Sequence, residues 1–178
     1  MISKIASKDF LKKNSYLIFL IIFSVTITTL SIYNNMVQEI LGHSYRDIYF
    51  YLIEALRFSG VEIGGYSYVN HLSPLIPFLT SLLFRLGFVS EVSIFFVSGI
   101  FYIIGVLGVY FLLKLRFNKI LSTFGAILFG GLSVTLIWTA NGTIDIPSTA
   151  LSIFALYFMI LGVYKNQNYF YLAFPIFS

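Results

Sequence analysis

Five long apolar runs, separated by short stretches that hold most of the charge, constrain this chain more than any single residue. They are Tyr16–Tyr33, Val92–Leu113, Ile120–Trp138, Ile146–Tyr164 and Tyr169 to the end. An 18-residue run makes about 27 Å of helix, close to the roughly 30 Å of a bilayer's hydrocarbon core. Only 10% of the residues are charged and the mean hydropathy is +0.91, whereas soluble domains run about 25% charged. The expected fold is therefore all-α and polytopic in a membrane, with four to five transmembrane helices and no separate soluble domain. Without cysteine there is no disulfide framework and no thiolate metal site.

Charge placement orders the spans. Lys4, Lys8, Lys12 and Lys13 precede the first run, the mark of a cytoplasmic flank. A cleaved signal peptide competes with this reading, but no small-x-small cleavage site follows and β-branched residues fill the run. A further apolar stretch, Leu72–Phe88, contains Pro74, Pro77 and Arg85, and its core of about 14 residues is too short to cross. With that stretch on the surface, the crossings fall at 16–33, 92–113, 120–138 and 146–164, and residues 169–178 begin a fifth. Lys114, Arg116, Lys119 and Lys165 then join the N-terminal lysines inside, as the positive-inside rule requires. Six acids, Glu39, Asp47, Glu54, Glu62, Glu91 and Asp145, fall on the outer face and Asp9 on the inner. The net charge of +4 matters less than this distribution, and no nucleic-acid partner is expected. The expected setting is the plasma membrane, with the N-terminus cytoplasmic, the functional site outside and membrane lipid as a partner.

The segment 34–90 is the first outer loop. Ile48–Phe58 is rich in aromatic and aliphatic residues and Ser59-Gly60 supplies a helix stop. Asp47, Glu54 and Arg57 share one side of this helix, with Arg57 three residues past Glu54. The rest suits an amphipathic helix lying at the headgroups. Gly64-Gly65 marks a turn, Tyr66-Ser67-Tyr68 an interfacial anchor, and a second surface helix follows from about Pro74 to Leu86.

Asp47 and Asp145 are the candidate catalytic residues. A carboxylate is costly at a membrane unless it is partnered or functional, and both acids lie near helix starts on one face. Each also reads as a helix cap. Asp145 stands before Pro147, a residue suited to a helix's first turn. His43 and His71 show no metal-ligand spacing, so no metal ligand is assigned. Asn141-Gly142-Thr143 fits the N-glycosylation pattern but lies close to the membrane. Trp138 and the span-end tyrosines fit an aromatic belt, and Gly99, Gly105 and Gly108 predict close helix packing.

The layout resembles the polytopic glycosyltransferases of the GT-C superfamily, closest to glycosyltransferase family 39 and the protein O-mannosyltransferase-like group. The resemblance is carried by several short motifs: Arg46-Asp47-Ile48-Tyr49-Phe50-Tyr51-Leu52, His71-Leu72-Ser73-Pro74-Leu75-Ile76-Pro77, Leu83–Glu91 and Asp145-Ile146-Pro147. It covers nearly the whole chain, but only about the N-terminal third of such a protein, so the chain reads as the N-terminal part of something longer. One departure is Ile48, where relatives often carry an acid or Ala after the first-loop acid. The resemblance implies a polyprenyl-phosphate sugar as donor and a hydroxyl on a protein, lipid or glycan as acceptor. It also implies inversion at the anomeric carbon, Asp47 as general base and Asp145 as its assistant. Arg46, Arg57 and His71 become the substrate-binding candidates. Some superfamily members hold a divalent metal near these acids, which leaves a metal cofactor open here. Two rivals stand beside the enzyme. A transporter or flippase would place its acids near the midplane, and a non-catalytic membrane subunit would need Asp47 only for stability.

Overall fold

A computed structural model describes the backbone of residues 2–37, 46–62 and 73–177, and among these residues every regular element is helical. The elements are α1 (Ile2–Val37), α2 (Arg46–Phe58), α3 (Leu75–Arg85), α4 (Val92–Leu113), α5 (Lys119–Gly131), α6 (Ser133–Trp138), α7 (Asp145–Tyr164) and α8 (Phe170–Phe177). A single 3₁₀ turn, Gln167–Tyr169, leads into α8. Three helices are long and apolar enough to cross a membrane: Asn14–Val37 of α1, all of α4 and all of α7. The protein is an all-α polytopic membrane protein.

α4 is the axis of the bundle, packing against α1, α3, α5 and α7. Its glycines make this possible, as the sequence predicts. A methyl group at Gly99 would overlap the side chain of Thr28 in α1, and one at Gly108 would come within 2.9 Å of the Phe154 ring in α7. Gly105 faces Ala150 of α7, where a Cβ would sit 3.4 Å from the alanine methyl. Small residues let helix backbones approach where lipid supplies no hydrophobic drive for association. The pairings also fix direction. Thr28 of α1 donates to the Gly99 carbonyl at 3.5 Å, and the earlier Phe23 lies level with Gly130 beside the later α4 residues Tyr102 and Val106. α1 and α4 therefore run antiparallel.

The third apolar run departs from expectation. Instead of one span over 120–138, the chain forms α5 and α6 with Leu132 between them in extended backbone, φ −61° and ψ 137°. Gly130-Gly131 precedes the break, and glycine weakens a helix by about 1 kcal/mol per residue. The Gly130 carbonyl, at the end of α5, accepts a hydrogen bond from the buried Tyr102 hydroxyl at 3.0 Å. Local partners of this kind are what allow irregular backbone at membrane depth.

The short stretch containing Pro74 and Pro77 forms the 11-residue α3, too short to cross. It packs against α2 and α4. α2 stops where the sequence places the stop: Gly60 takes φ +96° and the Val61 N–H returns to the Leu56 carbonyl at 3.1 Å, a glycine-terminated helix end. The Gly64-Gly65 turn and the Tyr66-Ser67-Tyr68 anchor lie outside the described residues.

The antiparallel arrangement sorts charge to the two ends. Lys114, Arg116, Lys119 and Lys165 gather where α4 and α7 end and α5 begins. Glu91 and Asp145 flank the opposite end, where α4 and α7 begin, and α2 with its Glu54 reaches that end through α3.

Candidate functional site

The acidic end is built by three segments: the last turn of α1, the head of α4, and the connection 139–144 that leads into α7. Asn35, in the last turn of α1, is buried and its Nδ2 donates to the Ala140 carbonyl at 2.6 Å. That bond ties the first helix to a connection more than a hundred residues later. Gly142 allows the connection to turn tightly, with φ +77°, and a Cβ there would lie 3.1 Å from Ile94 at the head of α4.

Asp145 occupies the first turn of α7 and is itself exposed. Its carboxylate does not act as the expected cap. Oδ2 accepts from the Thr143 hydroxyl at 2.6 Å, a length typical of a charge-assisted O–H···O bond. Thr143 in turn lies 2.8 Å from Asn141 Oδ1, which also accepts the Thr143 backbone N–H at 3.2 Å. One hydroxyl carries one proton, so Thr143 serves the two oxygens by turns. Asn141 and Thr143 are both buried. Asn141 Nδ2 has no hydrogen-bond partner among the described residues, and a buried amide donor left unmet costs about 1–3 kcal/mol. This amide therefore offers a fixed donor next to the Thr143–Asp145 pair. The same burial excludes it as a glycan attachment point in the folded chain.

The backbone of Asp47 is the second residue of α2, which begins at Arg46 rather than near Ile48. The side chains of Arg46 and Asp47 lie outside the described residues, as do His43 and His71. The next residue, Ile48, is fully buried. It belongs to the same apolar cluster as Ile94 of α4, Ala140 of the connection and Ile146, the residue after Asp145. Each candidate acid thus immediately precedes an isoleucine anchored in one core.

Ile48, Tyr51, Glu54 and Ala55 form the buried face of α2, and Tyr49 and Phe50 are exposed. Glu54 points into the bundle, where Arg57 pairs with it at 2.8 Å, the local pair that the i, i+3 spacing predicts. The Arg85 guanidinium of α3 donates to the Phe58 carbonyl at the end of α2. Arg57 is thus held beside Glu54 on the inward side of α2. Among the described residues no three His, Asp or Glu side chains gather as a metal site would need.

Sequence reasoning set Asn141-Gly142-Thr143 aside as a glycosylation pattern too close to the membrane and missed its structural use. The signal was the alternation Asn141, Thr143, Asp145, three polar residues at every second position directly before a proline-marked helix start.

A helical membrane bundle with a polar, hydrogen-bonded site at one end is the class that fold and site define. A family model, dolichyl-phosphate-mannose-protein mannosyltransferase, matches residues 71–178. The chain belongs to this family of mannosyltransferase-like membrane glycosyltransferases. Asp145 and its hydrogen-bonding partners fall inside the matched segment, whereas Asp47 precedes it. Searches of curated proteins and of solved structures gave no match.

Proposed function

We propose that this chain carries the acceptor-activating part of a glycosyltransferase that moves a sugar from a polyprenyl phosphate to a hydroxyl group. The N-terminus is cytoplasmic in this reading, because the basic end of the bundle then obeys the positive-inside rule, and the site faces outward. Asp47 removes the proton from the acceptor hydroxyl as its oxygen attacks the anomeric carbon. The bond from that carbon to the phosphate oxygen breaks on the opposite face, and the electron pair leaves with the phosphate, inverting the configuration. Asp145, held by Thr143, orients the acceptor. Arg46 and His71 are candidates to contact the donor phosphate. Arg57 is the weaker candidate for that role, because Glu54 already neutralises it.

The observation that carries the reading is the shared core. Ile48 and Ile146, each directly after one of the two acids, are both buried in the apolar core that runs along the bundle. Catalysis by a general base requires the base to be held in place relative to its substrate, and helix starts locked by buried neighbours supply that. Acids at helix starts and span ends also fit a transferase that works at the bilayer surface better than a transporter with midplane sites.

The test is transfer from labelled polyprenyl-phosphate sugars by membranes holding the full-length protein. Asp47→Asn should lower transfer by roughly 10²–10⁴-fold at equal expression, the usual worth of a general base. Nuclear magnetic resonance of the product should show the inverted anomer. Full activity in Asp47→Asn would remove the base from Asp47, and a retained anomer would exclude single displacement.

A further inference from the structure

At the basic end, the final turns of α4 and α7 and the turn 114–118 enclose a groove of about 630 Å³, within the roughly 300–1,000 Å³ of ligand pockets. Its walls are apolar, formed chiefly by Leu112, Phe117, Leu156 and Ile160, and Arg116 and Lys165 line it as its two cations. Both cations are exposed, and neither meets a carboxylate among the described residues. The contrast with Glu54–Arg57 is direct, since that arginine is already neutralised. The neighbouring Lys114 has its own contact, with its Nζ 5.5 Å from the centre of the Tyr110 ring, so the groove's charge comes from Arg116 and Lys165. Leu156, Phe117 and Tyr164 are largely exposed where the spans end, the depth at which headgroups meet acyl chains.

An apolar slot with two cations, at the end of two membrane spans, is complementary to an amphiphile with an anionic head. Basic pockets between transmembrane helices recognise phospholipid headgroups in this way. We propose that this groove binds an anionic glycerophospholipid of the adjoining leaflet. The headgroup phosphate lies between Arg116 and Lys165, and an acyl chain runs along Leu112, Phe117, Leu156 and Ile160. The site sits at the end of the bundle opposite Asp145, so it stands independently of the glycosyl-transfer reading. Its ligand is a structural lipid rather than a substrate.

The test is native mass spectrometry of the full-length protein, released from nanodiscs containing equal amounts of phosphatidylglycerol and phosphatidylcholine. The wild type should retain phosphatidylglycerol preferentially. The double variant R116Q/K165Q should bind it about thirty-fold more weakly, counting about fivefold for each cation at a membrane surface. Ile160→Trp keeps both charges but fills the slot, and should also lose the lipid. K4Q/K12Q, which removes equal charge from the N-terminal flank, should retain it. Three results would overturn the proposal: equal retention of the two lipids, an unchanged R116Q/K165Q, or the same loss in K4Q/K12Q, which would reduce the effect to general surface charge. Retention of neither lipid by the wild type would show that another part of the protein fills the groove, and would overturn it as well. Unchanged thermal unfolding of Ile160→Trp in lipid-free detergent separates loss of lipid from loss of fold.

Discussion

The two ends of this bundle use polar groups in opposite ways. At the acidic end several are buried and bonded to partners, although Asp145 itself is exposed. Asn35 holds the Ala140 carbonyl, Thr143 links Asn141 to Asp145, and Arg57 holds Glu54. At the basic end Lys114, Arg116 and Lys165 are exposed, and Lys114 rests over the Tyr110 ring. Buried, mutually bonded groups fix geometry, because breaking any of them strands another. Exposed cations fix little geometry but attract anions, and salt screens that attraction. The first arrangement suits a reaction that needs atoms held in place, and the second suits a surface that needs only to recognise charge.

That contrast can be broken at either end. The largest expected effect is on Glu54→Leu. It removes a buried carboxylate from Arg57 and should lower stability by about 3 kcal/mol, read as a fall in the unfolding temperature in detergent. A loss below about 0.5 kcal/mol would mean that the pair behaves as a solvated surface bridge. Next is Thr143→Val, which keeps shape but removes the hydroxyl that holds Asp145. Transfer should fall about tenfold, equivalent to about 1.4 kcal/mol of lost positioning, while the donor KM stays unchanged. A raised donor KM with unaltered kcat would move Thr143 from acceptor positioning to donor binding. The smallest is Lys114→Gln at the basic end, which should cost about 0.5 kcal/mol, the worth of an exposed cation–π contact. A cost above 2 kcal/mol would show that this end too depends on fixed geometry.

How much could be read beforehand follows the same physics. Composition and apolar run length gave the membrane class, and α4 runs over the same Val92–Leu113 as the second predicted span. α7 begins one residue before the predicted 146. Hydrocarbon thickness dictates these lengths, so they are written in composition alone. The first helix extends beyond its apolar run at both ends, from Ile2 to Val37, because polar flanks continue a helix as readily as apolar ones do. The break at Leu132 was not read, since hydropathy is blind to backbone and Gly130-Gly131 sits inside an unbroken apolar run. Which face of α2 packs was not read, for a different reason. In water an apolar face must turn inward, but beside a membrane both faces can be apolar, and which one packs is decided by neighbouring helices. Ile48 and Tyr51 carry no sequence mark that separates them from the exposed Tyr49 and Phe50. At the site, the chain showed Asp145 but not its partners, because a hydrogen-bond chain is legible only once three residues are known to share one turn.

The interruption between α5 and α6 bears on how the chain is assembled during synthesis. A 13-residue apolar helix followed by a six-residue one is a poor substrate for stepwise insertion, since neither piece spans the bilayer alone. Its broken backbone meets a donor in the Tyr102 hydroxyl, which belongs to the helix made just before it. Synthesis from the N-terminus thus makes α4, which carries the partner for this break, before the element that contains the break.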